Sequence, residues 1–161
     1  DIADPKFYNG DETVGPKVAT QFLNEQKVHA TIIEHVVHII KNISFKNSFD
    51  TASKSFTSIE LEVVQDADRL DAIGAIGIAR CFNYGGFKNR ALYDPKIIPD
   101  LKMTKETYKK STAPTINHFY EKLLLLKDQM NTASGKKIAN NRHQFMELYL
   151  QQFYDEWNGK K

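Results

Sequence analysis

Residues 63–80 have the apolar spacing of a buried helix, yet they include three aspartates within their first turns. With a step of about 100° per residue, Asp68 and Asp71 lie together on one flank of the apolar stripe. Asp66 lies near the other flank, three residues from Arg69. A carboxylate rarely enters a packed interior unless it is paired or coordinates a metal. Asp66 therefore has a cationic partner in reach, whereas Asp68 needs another explanation. The stripe itself comprises Val63, Ala67, Leu70, Gly74, Ile78 and Cys81.

The rest of the sequence predicts helix after helix, with almost no alternation of period two. Helices are expected at 16–26 and 28–43, followed by a polar loop at 46–57. A capping box at 57–60 opens the aspartate helix, which is expected to continue to Phe82. The segment 84–103 is expected to be a loop of the length that often forms a functional lid. With further helices at 104–131, broken near Pro114, and at 134–157, the sequence predicts an all-α, single-domain helical bundle.

The charge balance and the cysteine count limit the classes of function. The net charge is +2, far from the basic excess typical of nucleic-acid binding, so no nucleic-acid partner is expected. No apolar run approaches the roughly 18 residues of a membrane span, so no membrane partner is expected either. The single cysteine, Cys81, excludes an internal disulfide and favours packing in a reducing compartment, which predicts a cytoplasmic location.

The last predicted helix carries large apolar side chains along one stripe, and this stripe leaves a homodimer open as an alternative. Its members are Phe145, Leu148, Tyr149, Phe153 and Trp157.

Three stretches of the chain resemble the HD-domain superfamily of metal-dependent phosphohydrolases, in its small and mostly uncharacterised bacterial branch. Residues 65–80, Gln-Asp-Ala-Asp-Arg-Leu-Asp-Ala-Ile-Gly-Ala-Ile-Gly-Ile-Ala-Arg, resemble the last metal-ligand helix of that superfamily. Residues 117–128 resemble a later signature of the branch, and residues 142–147 fit its last helix. The resemblance spans most of the chain and implies one all-α domain of the HD type over residues 1–161.

This resemblance implies a metal site at the aspartate helix. Superfamily members bind metal through an early His, an adjacent His-Asp pair and a later Asp. Asp1 matches the Asp of the pair, and Asp68 matches the later Asp. Both histidine ligands are expected upstream of Asp1, so that the chain would begin inside its own motif. Such oxygen and nitrogen ligands suit a divalent metal, Mn²⁺, Mg²⁺ or Fe²⁺. The alternative for Asp68 is a buried hydrogen bond between helices, to a lysine or to the indole.

The resemblance also implies catalytic residues. Asp4 lies where related nucleotidases carry an acidic residue that helps to activate the attacking water. Its alternative is an Asx turn before Pro5. His118 and Lys122, four residues apart on one helix face, belong to the branch signature and are expected to act at the phosphate.

Phosphoryl transfer needs cations around the non-bridging oxygens of the phosphate. The predicted phosphate contacts are Arg69 beside the aspartates, Lys88 and Arg90 in the glycine-bearing loop, and His38 on the second helix. The alternative for Arg69 is an ion pair with Asp66, and the alternative for Lys88 and Arg90 is a solvated surface.

The predicted function is hydrolysis of a nucleotide phosphoester or phosphoanhydride, a small-molecule phosphate substrate, by a metal-activated water. The alternative is a non-catalytic helical module that binds a nucleotide or a protein and has an incomplete metal site.

Overall fold

The computed structural model describes residues 8–43, 56–104, 107 and 110–160. Helices make up the regular structure of these residues and no strand occurs among them, which confirms the predicted all-α fold. The chain divides into two compact units, Asp1–Leu61 and Glu62–Lys161. No helix in the described part of the chain is long and apolar enough to cross a membrane.

The first unit contains α1 (Val14–Glu25) and α2 (Ala30–Asn42), which pack against each other. Both helices were expected from the sequence, and their observed ends agree with the prediction to within two residues. His29 begins α2 as its N-cap, because its ring Nδ1 accepts the backbone N–H of Thr31. Ile33 is the buried residue of α2.

The aspartate helix is two helices. α3 (Ile59–Asp71) follows Ser58, whose hydroxyl accepts the backbone N–H of Leu61 at 3.1 Å. The chain leaves the helical path at residues 72–73 and resumes as α4 (Gly74–Phe87). The prediction of one unbroken helix to Phe82 is therefore wrong.

The corner between α3 and α4 depends on contacts that are distant in sequence. Ile73 is extended, with φ −123° and ψ 165°, and its side chain is fully buried. Gly74 follows with φ +79°, a conformation that favours glycine, and a Cβ there would lie 3.0 Å from the Arg142 side chain. Arg142 also donates a hydrogen bond to the Leu70 carbonyl. Because the chain turns here, the predicted apolar stripe is not one buried face, and Val63 at its start is exposed.

The second half of the chain departs from the predicted boundaries. α4 extends to Phe87, so the loop expected from residue 84 starts four residues later. Residues 111–116 are not helical, and the helix expected to resume after Pro114 resumes as the short α5 (Asn117–Glu121). The leucine run then forms a 3₁₀ helix, Leu123–Gln129, and α6 (Ala133–Trp157) confirms the last predicted helix to within one residue.

The core of the second unit forms where α6 packs against α4 and the 3₁₀ helix. Phe119 is fully buried there, with its ring stacked on Tyr149 at a centroid distance of 6.0 Å. Three members of the predicted apolar stripe of α6 are exposed, Phe145 by 48%, Leu148 by 69% and Trp157 by 48%. The buried residues of this helix are others, namely Gly135, Ala139, His143, Met146 and Leu150.

Candidate active site

Asp66 is the buried aspartate of α3, and it caps a different helix. Its side chain is 3% exposed, and its Oδ1 accepts the backbone N–H of Asn131 at 2.8 Å. Its Oδ2 accepts the backbone N–H of Thr132 at 2.8 Å and the Thr132 hydroxyl at 2.7 Å. The hydroxyl of Thr132 in turn accepts the N–H of Gly135 at 2.9 Å, which makes Thr132 the N-cap of α6. Asp66 thus fastens the start of α6 to α3.

The pKa of Asp66 follows from these contacts. Burial by itself would raise the pKa of this carboxyl, but the two backbone N–H groups and the hydroxyl outweigh burial. Arg69 adds a smaller effect in the same direction, and the net result is a pKa below the usual range. Asp66 is therefore ionised at neutral pH although it is buried.

Arg69 is held by the protein on two sides. Its Nη1 donates to the Gln129 carbonyl at 2.6 Å and lies 3.6 Å from Asp66 Oδ1. The alternative suggested by the sequence, an ion pair with Asp66, is confirmed. Burial lowers the pKa of the guanidinium, and the charges of Asp66 and Asp68 oppose that shift. The phosphate-binding role of Arg69 stays a prediction.

The three aspartates of α3 have three different environments. Asp66 is committed to the α6 cap, and Asp71 forms an exposed ion pair with Arg80. Asp68 is exposed, so the alternative of a buried hydrogen bond between helices is wrong for this residue. An exposed carboxylate suits a divalent cation, which prefers hard oxygen donors and an open coordination position.

No group of three or more His, Cys, Asp or Glu side chains that could hold a metal occurs within the described ranges. Asp1, the other predicted metal ligand, and Asp4, the predicted proton acceptor, lie outside the described residues. The described part of the chain therefore contributes Asp68 to the predicted metal site.

Two other predicted site residues, Lys122 and Arg90, act electrostatically on His118. Burial, followed by the charges of Lys122 and Arg90, lowers the pKa of this histidine to about 4. The same two cations act on the Cys81 thiol, whose pKa burial nevertheless raises to about 11. His118 and Cys81 are thus both neutral at pH 7, and Lys122 and Arg90 give the cluster a positive potential. We call Cys81, Arg90, His118 and Lys122 the cation cluster.

Arg90 is the link between this cluster and the end of α4. Its Nη2 donates to the Ser111 carbonyl at 2.7 Å, and its guanidinium carbon lies 5.9 Å from the centroid of the Tyr84 ring. Lys88 Nζ lies 5.8 Å from the same ring and 5.3 Å from that of Phe87. Lys88 is exposed, and both cations lie within cation–π distance of the Tyr84 ring.

His38 belongs to the first unit. It is exposed on α2, and its ring centroid lies 5.0 Å from that of Phe56. Its predicted role as a phosphate contact stays a prediction.

The sequence did not reveal two features of this region. Asp66 accepts hydrogen bonds from Asn131 and Thr132, which lie 65 and 66 positions further along the chain. Only the proximity of Asp66 to Arg69 could be predicted from the sequence spacing. The electrostatic effect of Arg90 and Lys122 on Cys81 has no sequence signal, because the three residues come from α4, the following loop and the end of α5.

Comparison with known proteins gives the class to which this chain belongs. No family model matches the sequence. YpgQ of Bacillus subtilis, an uncharacterised protein, is 41% identical over 119 residues, which cover 74% of this chain and 50% of YpgQ. A crystal structure from Lactobacillus plantarum is 46% identical with a TM-score of 0.75, and the match covers 85% of this chain and 64% of that one.

A crystal structure of an HD-superfamily hydrolase from Bacillus thuringiensis is 45% identical with a TM-score of 0.70. The match covers 96% of this chain and 69% of the hydrolase. The chain therefore belongs to the HD superfamily, as its aspartate helix predicted, and this membership supports a hydrolase-type function.

The relatives add two facts. YpgQ has also been crystallised in complex with ADP, in a structure 35% identical to this chain with a TM-score of 0.66. The chain spans about half the length of the curated relatives that it matches, at 50% and 59%.

Proposed function

We propose that this protein is a metal-dependent phosphohydrolase that acts on a phosphoester or phosphoanhydride of a nucleotide. The observation that carries the proposal is the similarity to the B. thuringiensis HD-superfamily hydrolase over nearly the whole chain. The nucleotide is supported by the ADP bound to YpgQ, a relative of this chain. The exposed Asp68 and the positive potential of the cation cluster supply the two kinds of group that phosphate hydrolysis needs.

Asp68, together with Asp1, would hold a divalent metal, and Mn²⁺, Mg²⁺ and Fe²⁺ suit carboxylate oxygens. When bound, such a metal polarises a phosphate oxygen and lowers the pKa of a coordinated water. Asp66 supports this arrangement from two residues away, because its bonds to Asn131 and Thr132 fix the end of α3 on which Asp68 lies. Asp4 is the proposed acceptor for the proton of the attacking water.

The cation cluster would bind the phosphate. Lys122 and Arg90 carry the positive charge that stabilises negative oxygens, and Lys88 and His38 are the proposed outer contacts. His118 is neutral at pH 7, because its pKa is about 4, so it contributes a hydrogen bond rather than a charge. A phosphate that binds beside it would raise this pKa, since an anion favours the protonated ring.

Hydrolysis of ADP and ATP in the presence of each of the three metals tests the proposal, with products identified by ³¹P NMR. We expect Asp68→Asn to lower kcat/KM at least about 100-fold. Even the mutation of a residue that only orients a metal ligand typically lowers metal affinity or activity about 10–100-fold. Asp71→Asn is the matched control on the same helix and should retain activity, because that side chain pairs with Arg80 at the surface. A wild-type protein that hydrolyses neither nucleotide, or an Asp68→Asn variant with full activity, would contradict the proposal. Binding of ADP without hydrolysis would instead support the binding-module alternative.

A further inference from the structure

A cavity of about 390 Å³ lies in the second unit between the loop after α4, α5 and α6. Its volume is within the roughly 300–1,000 Å³ of small-molecule sites, and its wall is mainly aromatic and aliphatic with a few polar groups. The residues that matter for recognition are Tyr93, Tyr120, Tyr154, Asp94, Asn117 and Ile98. None of these was predicted as a site residue from the sequence.

The aromatic wall is held in place by its neighbours. The Tyr93 ring meets Tyr154 edge-on at 5.4 Å and Trp157 edge-on at 5.1 Å. Burial, followed by the hydrogen bond that the Tyr154 hydroxyl donates to Tyr120, raises the pKa of Tyr154. These tyrosines therefore form a rigid surface of the kind on which a planar ring packs, either stacked or edge-to-face.

The loop side of the cavity is also fixed. Asn117, buried at the start of α5, donates from Nδ2 to the Ile97 carbonyl at 3.0 Å. Further along the loop, the N–H of Asp100 donates to Glu121 Oε1 at 3.3 Å. Two hydrogen bonds thus hold the loop against α5, so the cavity is already formed without a bound ligand.

The polar groups of the wall favour a ligand that donates hydrogen bonds. Asp94 lines the cavity, and its Oδ1 accepts the N–H of Lys96 at 2.9 Å, which fixes the direction of the carboxylate. A planar, largely apolar ring that carries an amino group matches this combination of tyrosine faces and a carboxylate acceptor.

The position of the cavity relates it to the cation cluster through α5. Asn117 and Tyr120 line the cavity, while His118 and Lys122, their neighbours in sequence, belong to the cluster. The charge of Arg90 acts both on His118 and on Glu121. The ring and the phosphates of one ligand would therefore lie on two sides of this short helix, with the charge of Arg90 acting on both.

We propose that this cavity binds the base of the nucleotide and favours a base with an exocyclic amino group. The inference rests on the proposed function, since it assigns a place for the base of the same substrate. Adenine is the test case, and hypoxanthine, which carries an oxygen where adenine has its amino group, is the matched comparison.

Nucleosides without phosphate test the cavity separately from the phosphate site. Adenosine and inosine are titrated into the wild-type protein, followed by calorimetry and by the fluorescence of Trp157, the chain's single tryptophan, which contacts Tyr93. We expect adenosine to bind with a change in fluorescence and about tenfold more tightly than inosine, the value of one hydrogen bond to a carboxylate. Equal binding of the two nucleosides, or no saturation by adenosine, would overturn the inference.

Two variants sharpen the test. Asp94→Asn keeps an oxygen for the N–H of Lys96 but replaces a carboxylate acceptor with an amide, so the preference for adenosine should shrink or reverse. Ile98→Trp should block the cavity, because Ile98 lines it and is 84% exposed, which leaves the fold room for a larger side chain. Asp71→Asn removes the same charge elsewhere in the unit and should leave both affinities unchanged. An Asp94→Asn variant with the wild-type preference would contradict the role of Asp94.

The outcomes separate this inference from the proposed function. If the protein hydrolyses ATP, binds no nucleoside and is not inhibited by adenosine, the base site is wrong and the hydrolase proposal still stands. If the protein binds adenosine, loses this binding in Ile98→Trp and hydrolyses no nucleotide, the base site stands and the hydrolase proposal is wrong.

Discussion

Replacing Asp66 with alanine should destabilise the second unit more than any exposed substitution on α3. The change removes the acceptor for the Asn131 and Thr132 backbone N–H groups, both at 2.8 Å, and for the Thr132 hydroxyl at 2.7 Å. It also takes away the carboxylate partner of Arg69, which keeps its bond to the Gln129 carbonyl. The start of α6 would then have its own Thr132 cap but no anchor on α3.

The magnitude follows from the number and type of bonds. A hydrogen bond to a charged group is worth about 1.5–3 kcal/mol, and the loss of two such backbone bonds gives about 3–6 kcal/mol. This is a large share of the roughly 5–15 kcal/mol that stabilises an ordinary domain. Asp66→Asn keeps the shape and one acceptor oxygen, so it should cost less, about 2–3 kcal/mol.

The effect should also depend on pH. The pKa of Asp66 is lowered in the folded protein, so the unfolded chain takes up the proton first as the pH falls. The stabilisation by this carboxylate is therefore present at neutral pH and is lost as the pH falls through the folded pKa. The free-energy difference between the wild-type protein and Asp66→Asn should shrink in acid.

Urea denaturation followed by far-ultraviolet circular dichroism measures these differences, and hydrogen exchange at Asn131 and Thr132 should accelerate in the variant. Asp71→Ala is the matched control, because its exposed ion pair with Arg80 is worth only about 0–1 kcal/mol. If Asp66→Ala costs no more than Asp71→Ala, or if exchange at the two amides is unchanged, the anchoring role assigned to Asp66 is wrong.

Three further predictions concern the same unit. Gly135→Ala should lower the thermal midpoint, because a Cβ at that position would overlap with the Asp66 carboxylate, and an unchanged midpoint would contradict the close approach. Phe119→Ala should cost about 3–5 kcal/mol in urea, since the ring is fully buried against Tyr149, and a cost below 1 kcal/mol would refute its place in the core. His118, whose pKa falls from 6.5 to about 4 on folding, should make stability decrease by up to about 3 kcal/mol as the pH falls from 6.5 to 4. In His118→Gln the free energy of unfolding, measured with urea, should change less between pH 6.5 and 4. An equal pH dependence in both proteins would contradict the burial of a neutral imidazole.

The helices and the family could be predicted from the sequence, because both depend on local sequence patterns. The local sequence pattern predicted α1, α2 and α6 to within two residues. The pairing of Asp66 with Arg69 followed from a three-residue separation, and the aspartate helix carried the resemblance to the HD superfamily that the comparisons confirm.

The corner between α3 and α4 was not readable, because the apolar spacing continues in phase across residues 72–73. The break depends on Gly74 and on Arg142, which lies 72 residues from the Leu70 carbonyl that it contacts. The buried residues of α6 were not predicted for a similar reason, since packing against α4 and the 3₁₀ helix decides which of its residues are buried.

The candidate site was only partly readable for the same reason. The positions of His118 and Lys122 followed from the family signature, but the neutral state of His118 comes from burial, which a sequence pattern does not report. Arg69 looked available for phosphate because its partner, the Gln129 carbonyl, is 60 residues away. The tyrosines of the cavity carried no signal, since they come from a loop and two helices.

Metal content tests the central claim most directly. The wild-type protein with its native N-terminus, and its Asp68→Asn and Asp71→Asn variants, are each incubated with Mn²⁺, Mg²⁺ or Fe²⁺, desalted and analysed by elemental mass spectrometry. The account predicts near-stoichiometric retention of at least one of these metals by the wild-type protein and by Asp71→Asn, and its loss from Asp68→Asn. A wild-type protein that retains none of the three metals, or an Asp68→Asn variant that retains as much as the wild-type protein, would contradict it.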